Sequence, residues 1–150
     1  MTRLLALVGV IAALSVPAAA QAATTVERTP FVGDVQLCTS GDTVHLTGTL
    51  LVTATETLTP SGGFMVASHF QPQGISGVDT TTGTVYRATG LTRDLFVSSP
   101  AGGFTETFVN RFHIQATSAA ESFLVKETFH ITVSSTGSVR VLIDKFSATC

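Results

Sequence analysis

The sequence predicts an all-β protein built as an antiparallel meander of seven to eight strands. Threonine, valine and phenylalanine are abundant, and these side chains suit a pleated, half-buried surface. Three consecutive segments near the C-terminus alternate apolar and polar residues with a period of two. The connections between segments are short, which favours antiparallel neighbours, because a parallel crossover needs about a dozen residues or more.

The first 22 residues are typical of an export signal. Arg3 supplies a basic start, an apolar run covers residues 4–16, and a small-x-small pattern ends at Ala22. The run is shorter than the roughly 20 apolar residues of a membrane-spanning helix. We therefore predict a helical signal peptide at 1–22, cleaved after Ala22, and a single β-barrel domain at 23–150. The mature chain is expected to be secreted or periplasmic, with no membrane span.

The strands are predicted from turn residues and apolar alternation along the mature chain. The weaker strands are expected at residues 26–37, 43–53, 64–70, 85–91 and 94–98, and the strongest at 104–114, 123–133 and 139–146. Turns are predicted at 59–63, 99–103 and 135–137, the last with Gly137 in the left-handed conformation of a three-residue hairpin. Residues 71–84, rich in Gly, Thr and Gln, are predicted to form the longest loop.

A meander of this size either closes into an up-and-down barrel or splits into two packed sheets. We favour the closed barrel, because a Greek-key sandwich needs long crossovers and only the 71–84 segment offers one. The absence of tryptophan and the cysteine spacing do not fit an immunoglobulin domain. The two-sheet sandwich is the alternative.

The two cysteines predict a disulfide between Cys38 and Cys150, since an even count is typical of exported chains. Such a bond would bring the first and last strands together, as barrel closure demands. The chain-entropy model assigns at most roughly 4 to 5 kcal/mol to a loop of this length. Free thiols or a metal site are the alternatives, and the chain has no CxxC spacing to favour a metal.

Composition and motifs exclude several function classes. The formal charge is −2 and Lys and Arg are dispersed, so no nucleic-acid partner is predicted. No nucleophile elbow, zinc-protease or phosphate-loop motif is present, so no catalytic residue is assigned. The four histidines lack a short HxH or HxxxH spacing, so neither a metal nor a cofactor is predicted.

Matching the phenylalanines across the last two connections predicts a polar row on their face. This register places Asn110 beside Glu127 across the first connection. Aligning Val133 with Val139 at the hairpin places Glu127 beside Lys145. We therefore expect Asn110, Glu127 and Lys145 to lie side by side on three strands.

This polar row, with Glu106 on the same face, is the candidate ligand-binding set. A few polar groups in an apolar pocket can orient a small ligand at a barrel mouth. The structural interpretation is a Glu127–Lys145 pair with Asn110 beside it, in which the groups satisfy one another. A cavity of roughly 300 Å³ lined by the row would favour ligand binding, whereas an interior filled by phenylalanine would favour a surface role.

Several stretches resemble a set of small exported bacterial proteins of unassigned function that end in a cysteine. The resemblance covers most of the mature chain and is carried by VHLTGTL (44–50), SHFQPQGISG (68–77), TGTVY (82–86), ETFHITV (127–133) and FSATC (146–150). It implies a bacterial source, export and one β domain, and no activity. More remotely, the meander is similar to lipocalin, allene oxide cyclase and dirigent barrels in architecture alone.

Two functions follow from these observations. The first is an exported, non-catalytic binding or surface-interaction domain that holds a small apolar ligand. The alternative is a small barrel isomerase or cyclase acting on an apolar substrate, with Glu127, Asn110 and Lys145 as polar contacts. We favour the first, because no reactive group has a recognisable activating partner.

Overall fold

The fold is one antiparallel sheet of seven strands, which confirms the all-β meander. The computed structural model describes residues 22–38, 40–118 and 122–150. The strands are β1 (Ala22–Gln36), β2 (Thr43–Leu58), β3 (Phe64–Val78), β4 (Val85–Ser98), β5 (Phe104–Ala116), β6 (Phe123–Val133) and β7 (Val139–Thr149). Each strand pairs with its neighbours in sequence, in the order β1 to β7. The predicted signal peptide lies outside the described residues, except for Ala22, which begins β1.

The sheet curls strongly but does not close, so the predicted closed barrel is wrong. In a flat sheet, β1 and β5 would be four strand spacings apart, roughly 19 Å. Their side chains nevertheless meet, since the ring centroids of Phe31 and Phe112 are 6.2 Å apart. Closing seven meander strands would require β1 and β7 to pair in parallel, which is the less stable ladder, and no such pair forms. Because all seven strands share one sheet, the two-sheet sandwich is not formed either.

The predicted disulfide joins the two edges of this sheet. Cys38 lies two residues beyond the end of β1, Cys150 directly follows β7, and their Cα atoms are 6.2 Å apart. Flat packing would separate the two edge strands by six spacings, roughly 29 Å. The bond therefore holds the curl at one end of the sheet, which we call the disulfide end. The opposite end, where the turns at 59–63, 99–103 and 134–138 lie, is the far end.

The buried core lies at the disulfide end. Eight hydrophobic residues form one buried cluster: Leu37, Val44, Leu46, Ile75, Tyr86, Ala88, Ile114 and Phe123. Those within strands all project from the same side of the sheet, which we call the inner face. The sheet thus packs against itself, through its own inner face, rather than against a second layer.

The strand boundaries differ from the prediction in the middle of the chain. β3 continues to Val78, so the predicted loop at 71–84 shrinks to residues 79–84. The register shifts between Phe70 and Ser76, and Ile75 is buried against β2. Gly48 of β2 permits this approach, because a Cβ there would lie 2.6 Å from the Cα of Ile75. The two strands predicted at 85–91 and 94–98 are a single strand, β4.

The shortened loop is organised by a buried carboxylate. Asp79 accepts a hydrogen bond from the backbone N–H of Thr81 at 2.8 Å and another from Oγ1 of Thr82 at 2.5 Å. These bonds, that of Thr82 first, hold the pKa of Asp79 below its ordinary value. The carboxylate therefore adds to the backbone hydrogen bonds that Asp79 makes with Gly83 and Thr84, and together they hold the turn from β3 to β4.

Candidate functional site

All ten phenylalanines of the chain lie on the inner face. Strand pairing fixes this, because residues directly opposite each other share a face and alternate residues return to it. The ladders place on that face Phe31, Phe64, Phe70, Phe96, Phe104, Phe108, Phe112, Phe123, Phe129 and Phe146. Phe96 and Phe104 stack with their ring centroids 5.5 Å apart. The inner face is thus an aromatic surface, and only its disulfide end is covered.

A cavity of about 360 Å³ opens on the inner face beside the core. Six strands contribute to its lining, which is Phe31, Val35, Leu50, Phe70, Thr92, Phe108, Asn110, Phe112, Ile114 and Val125. Ile114 belongs to the buried core, and Val35 and Val125 pack against it. The core therefore forms the floor of the cavity, and the phenylalanines form much of its wall.

Two polar side chains interrupt this apolar lining, and they contact each other. Thr92 lies opposite Asn110 on the adjacent strand, and its Oγ1 donates a hydrogen bond to Asn110 Oδ1 at 2.8 Å. The pair places one hydroxyl and one amide in the wall. Such a pair can orient a ligand without adding charge to the lining.

The predicted register between β5 and β6 is confirmed. Asn110 lies opposite Glu127, and Glu106 lies opposite Ile131, all on the inner face. Asn110 lines the cavity, as a ligand-binding residue would. Glu127 lies next to the cavity, beside Asn110 of its lining. Glu106 lies four residues from Asn110 on β5, towards the far end. The functional role of these residues remains a prediction.

The predicted position of Lys145 is wrong. A β-bulge at the start of β7 leaves Arg140 unpaired and shifts the register by one residue, so that Lys145 opposes Thr128 and Phe146 opposes Glu127. The side chains of Lys145 and Glu127 therefore lie on opposite faces of the sheet. The row of three polar groups is instead completed on the other side by Thr92, next to Asn110.

Sequence reasoning missed Thr92 and Asp94, both on the inner face of β4. Asp94 lies between Ser68 and Phe108 on the neighbouring strands. Its Oδ1 is buried with no hydrogen-bond partner in the described part of the chain, and burial raises the pKa of this carboxyl. Thr92, Asp94 and Phe96 follow the period of two that places them on one face, but the prediction of two strands at 85–91 and 94–98 interrupts that period.

The opposite, outer face carries the histidines. His45 Nδ1 lies 2.6 Å from Asp34 Oδ1, and His130 Nδ1 lies 2.7 Å from Thr107 Oγ1. On β5, His113 lies opposite Leu124 of β6, as predicted. No two histidines lie opposite each other in the β5–β6 ladder. Within residues 22–38, 40–118 and 122–150, no group of three His, Cys, Asp or Glu side chains could hold a metal ion. Over the same residues, no helix is long and apolar enough to span a membrane.

No family model, curated protein or solved structure matches this chain. The chemistry of the site itself indicates what it can bind. Its lining can bury an apolar molecule, and its single amide–hydroxyl pair can fix the orientation of that molecule.

Proposed function

We propose that this protein is an exported, non-catalytic binding domain that holds a small apolar ligand in the cavity of its inner face. The cavity itself carries the proposal, because about 360 Å³ is within the range of known ligand sites, roughly 300 to 1,000 Å³. Eight of its ten lining residues are hydrophobic, four of them phenylalanine. Burial of apolar ligand area against them contributes about 25 cal/mol per Å².

The open edge of the sheet gives this ligand a way in. Between β1 and β7 no hydrogen-bonded ladder has to break for a molecule to reach the inner face. On the inner face of β7, Leu142 is 61% and Phe146 is 68% exposed, so this side of the face is uncovered. Export is supported by the Cys38–Cys150 disulfide, since such bonds persist in oxidising compartments, either outside the cell or in a periplasm.

Asp94 supports the alternative, an isomerase or cyclase acting on an apolar substrate. Burial raises the pKa of the half-buried Asp94 carboxyl, and its Oδ1 has no hydrogen-bond partner among the described residues, so this carboxyl is a candidate general acid or base. A ligand recovered from the purified protein separates the two functions. Its return unchanged after incubation supports binding, whereas its conversion into an isomer, lost in Asp94→Asn, supports the enzyme.

Binding is tested with N-phenyl-1-naphthylamine, a neutral apolar dye whose fluorescence rises in apolar surroundings. We expect the intact protein to give a saturable rise. Val125→Trp should abolish it, because the larger side chain fills the cavity from β6. Leu124→Trp is the matched control, since the neighbouring residue lies on the outer face of the same strand.

Both variants are first checked for cooperative unfolding in urea, so that loss of binding is not loss of fold. Saturable binding lost only in Val125→Trp supports the proposal. Absence of saturable binding to the intact protein, or equal binding by the two variants, contradicts it.

A further inference from the structure

Charged residues are sorted between the two faces of the sheet. Strand pairing puts six carboxylates on the inner face: Glu27, Glu56, Asp94, Glu106, Glu127 and Asp144. The same ladders put six basic residues on the outer face: Arg28, Arg87, Arg93, Arg111, Lys126 and Lys145. Arg140 is the unpaired residue of the β7 bulge. Among the described strand residues, no paired basic side chain shares the face of the ten phenylalanines.

The inner carboxylates therefore lack a counterion among the residues that the structure describes. Within the described residues, the one contact between a carboxylate and a basic side chain joins Asp34 and His45, and it lies on the outer face. Repulsion among like charges on one concave face is unfavourable, and the low-dielectric wall of phenylalanines lessens the screening by solvent. A bound cation would relieve this repulsion.

Two of these carboxylates border the cavity. Glu127 lies directly opposite Asn110, and opposed residues have Cβ atoms about 5 Å apart. Asp94 is two residues from Thr92 on the same face of β4, roughly 7 Å along the strand, and opposes Phe108 of the lining. The buried Oδ1 of Asp94 is an acceptor that no donor within residues 22–38, 40–118 and 122–150 satisfies. The polar edge of the cavity thus offers acceptors and negative charge.

Resting on the proposed function, we infer that the ligand is a small organic cation, an ammonium group attached to an apolar body. The apolar body occupies the cavity, and the ammonium group lies between the ring faces and the carboxylates of Asp94 and Glu127. Phenylalanine faces attract cations through their quadrupole, which contributes about 0.5 to 2 kcal/mol depending on desolvation, the equivalent of roughly a two- to thirty-fold change in affinity. The same carboxylates would repel an anion of the same shape.

The test compares probes that share one apolar chain and differ in charge: decyltrimethylammonium, decanol and decanoate. Each is used below its micelle concentration to displace N-phenyl-1-naphthylamine from the intact protein. We expect the cation to displace the dye at a concentration about tenfold lower than decanoate does, with decanol between them. Added salt should narrow the difference between cation and anion.

Variants locate the charge that the cation senses. The double variant Asp94→Asn with Glu127→Gln should lose most of the preference for the cation while still binding decanol. Asp34→Asn, which removes a carboxylate of the outer face, is the matched control and should keep the preference.

The outcomes separate this inference from the proposed function. If the dye binds and the three probes displace it equally, or if decanoate displaces it at the lowest concentration, the inference of a cationic ligand is wrong. The proposal of an apolar binding site is then unaffected. If the preference persists in the double variant, the two carboxylates do not recognise the charge. If the dye does not bind the intact protein, the proposed function fails first.

Discussion

The two ends of the sheet are built from the same strands and yet differ in almost every physical respect. At the disulfide end, all eight buried hydrophobic residues pack together, and a covalent bond holds β1 to β7. At the far end, no hydrophobic residue of the described chain is fully buried, and phenylalanines such as Phe64 and Phe104 are only half-buried. One end is a core, and the other is an open aromatic surface.

This difference shows how an open sheet can hold a cavity without a second layer. A seven-stranded meander cannot close with an antiparallel pair, so its edges need another constraint. The disulfide and the core supply it at one end only, and the cavity lies where their covering stops. Packing at the disulfide end and access along the open edge between β1 and β7 are therefore parts of the same arrangement.

Removing the disulfide should have the largest effect on this contrast. We expect the double variant Cys38→Ser with Cys150→Ser to lose up to about 4 to 5 kcal/mol of unfolding free energy, because the bond spans 112 residues. Urea unfolding measures the loss. Reducing agent should bring the intact protein to the same midpoint and leave the double variant unchanged. Equal midpoints for the oxidised protein and the double variant would show that the bond does not hold the curl.

Two isoleucines sharpen the contrast between covered and uncovered parts of the sheet. Ile114 is 1% exposed in the core, whereas Ile143 of β7 is 39% exposed. Ile114→Ala should cost about 3 kcal/mol, because a cavity replaces packed atoms. Ile143→Ala should cost less than about 1 kcal/mol. Chemical denaturation compares them directly, and similar losses would mean that β7 is buried in the protein in solution.

Two aspartates should change the stability of the fold by smaller amounts and in opposite directions. The pKa of Asp79 is lowered, so its ionised form stabilises the fold above the ordinary value of 3.8, and that contribution is lost as pH falls through the lowered pKa. The pKa of Asp94 is raised by burial, so ionisation costs stability once pH rises above 3.8 and through the raised pKa.

At about pH 7, Asp79→Asn should therefore lower the thermal midpoint and Asp94→Asn should raise it. Both differences should shrink as pH falls, that of Asp94→Asn from the raised pKa down to 3.8 and that of Asp79→Asn from 3.8 down through the lowered pKa. Thermal unfolding across this pH range measures both. A midpoint for Asp94→Asn that lies below that of the intact protein at about pH 7 would mean that the carboxylate is satisfied in the fold.

The sequence predicts the fold well where one face of a strand is clearly the apolar one. β5 carries Phe104, Phe108 and Phe112 on one side, and this pattern correctly sets its register with β6. β7 has apolar residues on both sides, Ile143 on one and Phe146 on the other, so the pattern does not specify its register. The bulge at Arg140 sets the register of β7 with β6, and this register places Lys145 on the outer face.

The candidate site could be predicted only in part. Asn110 and Glu127 follow from the alternation, but the cavity depends on how far the sheet curls. Contacts across the interior set that curl, such as Phe31 against Phe112, and strand periodicity carries no information about them. The glycines of β3 resemble a loop in sequence, although Gly77 lies within the strand and allows β2 to approach closely at His45.

The central claim is that the inner face binds its ligand beside the core and not elsewhere on the aromatic surface. Fluorine NMR of protein carrying 4-fluorophenylalanine at all ten positions, assigned by single Phe→Leu replacements, tests it directly. Adding N-phenyl-1-naphthylamine should shift the resonances of Phe31, Phe70, Phe108 and Phe112, which line the cavity, and leave that of Phe104 unmoved. Shifts confined to Phe104 and its neighbour Phe96, or no shift at saturating dye, would contradict the claim.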